Sequence, residues 1–363
     1  MVRRAWAEER RGGGSPTWVR RLRAACGPRY GPRAVASERL LSALEAGFGL
    51  RPVVERDLGG AYNLNLLVRS RSGRQVVRVH RPWVSLERVM ALQQTRERLA
   101  AAGLPVARPL AAPLRFEGRV VEVEEFIAHD RVVDAWSRAE SAFALLGRLH
   151  DALRRLTPSP LLLPAVSHAG GPFYVLAWLG RMERALLHAP DDQEVRMGRA
   201  ACRETRRLLG RFAAWWRQHV AWLPRQPIHG DFGWADVVFR EGAVAAVLDF
   251  DFLARRERAF ELARSLWTLL RRLAPGVPPA RYPWGRLRRL LAAYDASTER
   301  PLQSVELAAL PYELARMPLT WVAEAALIGD ALGTLRRAVV ELRASRWLLD
   351  HTSTVVAELL PAG

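Results

Sequence analysis

Three aspartates in the second half of the sequence have the type and spacing expected of a site for a metal ion and phosphate. Asp231 and Asp236 lie five positions apart, and Asp249 follows at the end of the next apolar run. A site of carboxylates without cysteine or histidine favours Mg²⁺ over zinc. We therefore expect all three acids to converge on one bound Mg²⁺ ion.

A β-hairpin is predicted to bring two of these acids together. The strand-like segments Val237–Arg240 and Ala243–Leu248 flank a two-residue turn. In the register set by this turn, Asp236 faces Val247, and Asp249 lies two positions further along the second strand. Diagonal neighbours of this kind have Cα atoms roughly 7–8 Å apart, which suits two carboxylates that bind one cation.

The sequence before this hairpin predicts a small sheet. After a helix that is capped by Ser37 and ends at Gly47 or Gly49, alternating segments give the order β-β-β-α-β. Gly59 and Gly60 lie between the first two strands, where a flexible backbone lets main-chain N–H groups approach an anion, although an ordinary hairpin loop is the alternative. The predicted segments are Pro52–Leu58, Leu64–Arg69, Gln75–His80, Ser85–Ala102 and Arg119–Ile127.

Beyond about His129 the pattern becomes largely helical, with amphipathic helices predicted near residues 142–156 and 204–223. His150 and His219 lie on or beside the apolar faces of these two helices. We interpret both as core histidines rather than as metal ligands.

The segment His229-Gly230-Asp231, with Asp236 and then Asp249-Phe250-Asp251 behind it, resembles the signature of the aminoglycoside phosphotransferase and homoserine kinase-like family, distant relatives of protein kinases. That signature is His-Gly-Asp, four residues, Asn, and a short hairpin that ends in Asp-Phe. The resemblance covers roughly residues 37–270. Further matching segments are Gly59-Gly60 with Asn63, 76–82, 146–150 and 260–263.

This resemblance implies an α+β, two-lobed fold of the protein-kinase type. A small N-terminal antiparallel sheet lobe with one helix would precede a larger, mostly helical C-terminal lobe. We accordingly divide the chain into a basic arm (1–36), a nucleotide-binding N-lobe (37–128) and a C-lobe (129–363) that holds the catalytic loop, the metal site and the acceptor-binding helices.

The resemblance also implies an O-phosphotransferase that depends on ATP and Mg²⁺, with GTP as an alternative donor. Asp231 would orient the acceptor hydroxyl and take its proton, whereas Asp236 and Asp249 would bind Mg²⁺ and Arg78 would pair with the phosphates. The expected nucleotide contacts come from the glycine loop and from backbone at the interlobe hinge. They are Gly59, Gly60, Asn63, Glu125, Phe126 and Ile127.

Three departures from the family pattern leave an alternative open. Asp236 replaces Asn, Arg78 stands where Lys is common, and the turn Leu92–Gln94 holds no acid to pair with that cation. The alternative is a catalytically weak, pseudokinase-like partner subunit that binds nucleotide or an acidic partner.

The net charge of +18 bears on the acceptor and on possible partners. All 55 basic residues are Arg and most are scattered, so nucleic acid is a disfavoured partner. Nine Arg with only two acids fall in residues 1–33, where the arm could bind a partner protein. Because this charge would repel cationic aminoglycosides, the expected acceptor is a biosynthetic small-molecule alcohol or a Ser or Thr hydroxyl of a precursor peptide.

The sequence also predicts a cytoplasmic protein with no membrane contact. Its apolar runs fall short of the roughly 18 residues that a membrane span needs, and Met1–Pro16 lacks the apolar core of a signal peptide. The two cysteines, Cys26 and Cys202, are interpreted as ordinary reduced thiols.

Overall fold

The computed structural model describes residues 33–60, 62–156, 159–162, 171–189, 191–325 and 331–360. The basic arm predicted for residues 1–36 thus lies outside the described residues up to position 32. Directly after it, Arg33 pairs with Asp57 and donates from Nε to the carbonyl oxygen of Asn63 at 2.8 Å. The described chain forms a small sheet lobe followed by a larger helical lobe, which confirms the predicted α+β class.

An antiparallel five-stranded sheet forms the N-lobe, in the order β1-β2-β3-β5-β4. Its segments are rich in Val and Leu with alternating burial, as expected of strands with one face in a core. The structure adds β4, which sequence reasoning missed because a run of three residues has no readable period. The strands are β1 (Val53–Asp57), β2 (Leu64–Ser70), β3 (Gly73–Val79), β4 (Leu114–Phe116) and β5 (Arg119–Glu125).

Two helices flank this sheet. Helix α1 (Glu38–Phe48) ends at Gly49 in a left-handed conformation, in agreement with the predicted glycine stop. Helix α2 (Leu86–Ala101) begins after Ser85, whose hydroxyl accepts a hydrogen bond from the Arg88 backbone N–H at 3.2 Å. Apolar residues of α2 belong to the same buried core as the C-lobe helices, so α2 joins the two lobes.

The C-lobe is built mainly from helices around one large apolar core. The helix predicted from Glu204 in fact begins at Gln193, where the Asp192 side chain accepts a hydrogen bond from the Val195 N–H at 2.8 Å. Its first turns bury small residues such as Gly198 and Ala201, which leave a weak apolar pattern in the sequence. The helices are α3 (Trp136–Arg155), α4 (Pro172–Leu187), α5 (Gln193–His219), α6 (Arg258–Leu273), α7 (Trp284–Asp295), α8 (Ser304–Glu324), α9 (Ala331–Asp350) and α10 (Thr352–Leu359).

Short strands of the C-lobe frame the catalytic segment. They form a three-stranded sheet, β6-β8-β9, and a two-stranded sheet, β10-β7. Their bounds are β6 (Arg131–Val132), β7 (Arg225–Ile228), β8 (Val237–Arg240), β9 (Ala243–Val247) and β10 (Ala254–Glu257). No helix among the described residues is long and apolar enough to cross a membrane.

Hydrogen bonds from both lobes hold the segment at the floor of the interlobe cleft in place. The Val247 N–H donates to the Pro105 carbonyl oxygen at 2.8 Å, where the loop after α2 meets β9. A guanidinium nitrogen of Arg88 on α2 donates to the carbonyl oxygens of Asp251 and Leu253 at 3.1 and 2.9 Å. The segment after β9 is therefore held between the lobes.

Candidate active site

Asp249 lies directly after β9, where the chain turns sharply into the cleft. Its backbone is left-handed, with φ 63° and ψ 67°, a conformation that costs energy for a residue with a side chain and is often found at functional sites. This turn brings Asp249 Oδ1 to 2.9 Å from a terminal nitrogen of Arg78 on β3. A predicted metal ligand and a predicted phosphate-binding residue from opposite lobes thus form an ion pair.

Arg78 is buried at the centre of a group of carboxylates. Besides Asp249, its guanidinium lies 3.4 Å from Glu124 and 3.7 Å from Asp251. Burial alone would lower the pKa of Arg78, but Glu124 and the two aspartates raise it well above the usual value. Arg78 is therefore a permanent cation at the point where the two lobes meet.

Glu124 on β5 replaces the acid that sequence analysis failed to find on α2. Its other carboxylate oxygen pairs with Arg96 of α2, and Arg96 also pairs with Glu122 on the same strand. Gln93, in the turn where an acid was expected, donates to Glu122 at 3.1 Å. The family pattern predicts an acid on α2 that pairs with the cation of β3. In the structure α2 instead supplies a cation, Arg96, and β5 supplies the carboxylates.

Asp236 precedes β8, and the structure corrects its predicted register. A bulge between Val238 and Phe239 shifts the pairing, so Val237 rather than Asp236 faces Val247. Asp236 accepts instead from the Leu248 N–H through its carbonyl oxygen at 2.8 Å, next to Asp249. The predicted diagonal relation is wrong, but the two carboxylates still interact: burial first, and then Asp249, raise the pKa of Asp236 well above its usual value.

Asp236 and Asp249 together fit a metal ion that a bound substrate also coordinates. The described part of the chain contains no group of three or more His, Cys, Asp or Glu side chains that could hold a metal by itself. The prediction that all three aspartates converge on one metal is therefore wrong. Two carboxylates, Asp236 and Asp249, are nevertheless what Mg²⁺ uses in phosphate sites, where the substrate oxygens and water complete its coordination.

Asp231 instead forms an ion pair with a cation. Its Oδ1 forms an ion pair with a terminal nitrogen of Arg264 on α6, and about a quarter of the Asp231 side chain stays exposed, at 24%. Sequence analysis did not single out Arg264, because no local pattern links it to a loop more than thirty positions earlier. The partly exposed carboxylate can still meet a hydroxyl group in the cleft.

The loop that carries Asp231 is braced from beneath by Glu261 of α6. The buried Glu261 carboxylate accepts hydrogen bonds from the backbone N–H groups of His229 (3.0 Å) and Gly230, and it lies 2.8 Å from Nε2 of His150. The prediction that His150 is a core residue is confirmed. The segment 260–263 pointed to this position, where the related family has Asp, but not to its contacts.

His229 also supports the catalytic loop rather than the reaction. Burial lowers the pKa of His229, which favours a neutral ring. Its Nε2 lies 2.9 Å from the Leu248 carbonyl oxygen, and the Asp231 N–H lies 3.3 Å from its Nδ1. A neutral ring with hydrogen on Nε2 satisfies both contacts, so His229 ties the Asp231 backbone to the end of β9.

The predicted glycine loop follows β1. Gly59 and Gly60 both have positive φ, at 85° and 124°, as expected of a loop that brings main-chain N–H groups close to a ligand. Asn63 behaves differently: its amide nitrogen donates to Asp251 at 2.5 Å, and its amide oxygen accepts from the Arg81 N–H at 3.2 Å. The side chain of Asn63 is buried and links the lobes, so its amide group is not available to bind a nucleotide.

The predicted hinge residues lie where the chain leaves β5. The Glu125 N–H donates to the Arg108 carbonyl oxygen at 2.9 Å, and Phe126 and Ile127 are half-buried. Nδ1 of His129 lies 2.8 Å from the Ile127 carbonyl oxygen. A ligand that used the Ile127 carbonyl would therefore have to displace or share this contact.

Sequence comparison agrees with this geometry. The sequence profile of the phosphotransferase enzyme family, APH, matches residues 53–296. Since the match covers well over half of the chain, the protein belongs to the APH phosphotransferase family. No curated protein matches the sequence significantly.

Several solved kinases share the fold at low sequence identity. Amicoumacin kinase hAmiN in complex with AMP-PNP, Ca²⁺ and Ami is 15% identical, with a TM-score of 0.62 over 85% of this chain and 93% of its own. A microcompartment-associated aminopropanol kinase is 15% identical, with a TM-score of 0.60 over 85% and 94%. Choline kinase from Cryptosporidium parvum Iowa II is 12% identical, with a TM-score of 0.58 over 89% and 98%. The fold is therefore kinase-like.

Proposed function

We propose that this protein transfers the γ-phosphoryl group of ATP to a hydroxyl group of a small-molecule acceptor, with Mg²⁺ as cofactor. The observation that carries the proposal is the meeting of Arg78 with Asp249 and Asp236 at the floor of the cleft, next to the loop that bears Asp231. Cations and metal-binding carboxylates at one point are what phosphoryl transfer needs, because its charge sits on phosphate oxygens.

Each side of the cleft has its own role in this proposal. Asp236 and Asp249 would hold Mg²⁺, which neutralises phosphate charge when it is bound. Backbone N–H groups at Gly59 and Gly60 would bind the phosphates, and the backbone of 125–127 would bind the adenine. The neighbouring kinases are named for small molecules, which supports an acceptor of that kind.

Asp231 would orient the acceptor hydroxyl and accept its proton as the new P–O bond forms. Its partial exposure at the cleft and its backbone contact with His229 support this role. The rate should then depend on a fixed carboxylate position more than on its basicity, since the transition state of phosphoryl transfer is loose.

The test is incubation with Mg²⁺-ATP and a panel of small alcohols, with phosphorylated products detected by mass spectrometry. Asp249→Ala should abolish transfer and weaken Mg²⁺-nucleotide binding, and Asp236→Ala should need more Mg²⁺ for half-maximal rate than Asp236→Asn. Asp231→Asn should bind nucleotide normally but turn over about 100-fold more slowly or worse. The exposed Asp191→Asn serves as control. Undiminished turnover of Asp249→Ala would refute the proposal.

A pseudokinase-like subunit is the second candidate. It is favoured by Asp236 in the place of Asn and by the ion pair that neutralises Asp231. Wild-type protein that binds Mg²⁺-ATP tightly but phosphorylates none of the alcohols, and does not hydrolyse ATP, would support this candidate.

A further inference from the structure

We propose that Arg264 is a catalytic residue that binds the oxygens of the γ-phosphoryl group while this group moves from ATP to the acceptor. The inference rests on the proposed function and adds to it a residue that no part of the sequence signature contains. It concerns the chemistry beside Asp231.

Arg264 lies beside the loop that carries Asp231. Arg264 lies one turn after Glu261 on α6, and its guanidinium contacts the Asp231 carboxylate. Glu261 in turn holds the backbone of His229 and Gly230. The helix therefore fixes the catalytic loop and its cation as one unit, so that the guanidinium is already in position before a ligand binds.

The Arg264 guanidinium also has a hydrogen-bond donor that no described residue accepts. Arg264 is largely buried, with 15% of its side chain exposed, yet its Nε is buried and has no hydrogen-bond partner among the described residues. A guanidinium has five N–H donors in a planar fork, which matches the oxygens of a phosphoryl group. A buried donor without a partner is costly, and a ligand oxygen would satisfy it.

The charged and polar groups around Arg264 come from three parts of the chain. The groups that face it are Asp231 from the loop, Tyr62 from the glycine loop, and Glu324 and Arg316 from α8. Burial and Arg316 lower the pKa of Arg264 to about 10, so it remains a cation at neutral pH. Arg264 is thus paired with the predicted base and lies within electrostatic range of Tyr62, which follows the predicted phosphate loop.

The catalytic loop itself supplies no competing cation. Between Asp231 and Asp236 the sequence is Phe-Gly-Trp-Ala, and Arg78 is engaged by Asp249 and Glu124. In phosphoryl transfer, a cation supplied within the same chain can stabilise the charge of the transferred group. Arg264 is placed to supply that charge from α6.

The acceptor oxygen forms a bond to the γ-phosphorus, and the bond between this phosphorus and the bridging oxygen of ATP breaks, with its electron pair leaving on ADP. The acceptor proton passes to Asp231. Arg264 keeps all its protons, and its Nε–H, which has no partner among the described residues, donates to a phosphoryl oxygen.

The test compares binding of Mg²⁺-ADP with binding of Mg²⁺-ADP plus tetrafluoroaluminate, a mimic of the phosphoryl group in flight, by titration calorimetry without any acceptor. Wild type should bind the second complex more tightly. Arg264→Ala should lose at least about tenfold of this gain while Mg²⁺-ADP binding stays within roughly threefold, and Arg264→Lys should recover part of it. Slow ATP hydrolysis by water should fall about 100-fold in kcat, with little change in KM.

Arg271→Ala is the matched control, since Arg271 lies two turns further along α6 and contacts the rings of Trp267 and Trp321 rather than the catalytic loop. An equal gain from tetrafluoroaluminate in wild type and Arg264→Ala would overturn the inference, as would the absence of a gain in wild type. An arginine that served an anionic group of the acceptor instead would give the first of these results. Failure of wild type to bind Mg²⁺-ADP would refute the proposed function itself. Circular dichroism checks that each variant is folded.

Discussion

At the scale of single residues, Arg78 is held by carboxylates of β5 rather than by an acid on α2. Glu124 contacts both Arg78 and Arg96, so it fixes the position of the proposed phosphate-binding cation while balancing two buried charges. Removing one partner of such a buried group leaves the other charges uncompensated. On the proposed function, Glu124 is therefore a positioning residue for the nucleotide site.

We expect Glu124→Gln to raise the KM for ATP several-fold, because Arg78 loses a charged partner and no longer stays in one place. The unfolding free energy should also fall, by about 3 kcal/mol or more. Steady-state kinetics and thermal denaturation measure the two effects. Glu97→Gln, on the exposed face of α2, is the control and should change neither. An unchanged KM in Glu124→Gln would mean that Arg78 is positioned without Glu124.

The residues that sequence reasoning singled out are those inside short local motifs. Asp231, Asp236, Asp249 and Arg78 could be named because their spacing or strand position is local. Glu124 and Arg264 could not, because each acts on a residue far away in the chain, and only the folded cleft brings the partners together. Asn63 was assigned to the nucleotide for the same reason, since its partner Asp251 is distant in sequence.

At the scale of elements, the turn from β7 into the catalytic loop depends on a glycine. Gly230 has a φ of 88°, and a Cβ at this position would lie 2.1 Å from the Phe252 carbonyl oxygen. The loop therefore runs directly against the segment that follows Asp249. No other residue type allows both the conformation and this close approach.

Gly230→Ala should displace the catalytic loop, lower kcat by more than about tenfold and reduce the melting temperature by several degrees. Gly242→Ala is a matched control, since Gly242 has a similar φ of 82° but nothing within 4 Å of the added Cβ. Both variants carry the same backbone strain, so a larger loss in Gly230→Ala measures the clash with Phe252. Equal losses in the two variants would refute this account of the loop.

Element prediction failed where the local pattern is weak or interrupted. The β8–β9 hairpin was predicted, but its bulge was not, since an extra residue in one strand leaves the alternation of apolar residues readable in either register. The start of α5 was missed because its first turns bury small residues beside many charges. The long apolar face of α3, by contrast, has a clear helical period, and a helix was predicted there.

At the scale of the whole molecule, Asp251 connects the two lobes. Its buried carboxylate accepts from Asn63 at 2.5 Å and lies 3.6 Å from Arg81 and 3.8 Å from His80, all of the N-lobe. Although burial alone would raise it, the surrounding cations keep the pKa of Asp251 below its usual range. The charge of one C-lobe residue thus stabilises the junction.

Asp251→Asn should lower the melting temperature at pH 7, because a buried cationic cluster loses its counter-charge, at a cost of about 3 kcal/mol or more. Since the pKa is lower in the folded than in the unfolded state, this stabilisation is present above about pH 4 and is lost as the pH falls further. The difference from wild type should therefore shrink in acid, as followed by circular dichroism. A difference that is independent of pH would show that the charge of Asp251 does not matter.

The two cleft arginines, Arg78 and Arg264, should differ in covalent reactivity. The chain contains no lysine, so an amine-reactive nucleotide analogue would find no lysine amine in the site. Dicarbonyl reagents such as phenylglyoxal attack the deprotonated guanidine. The raised pKa protects Arg78, whereas the pKa of about 10 makes Arg264 the more reactive of the two. Of these two side chains, phenylglyoxal should therefore modify Arg264 faster than Arg78, and a bound nucleotide should slow the modification of Arg264.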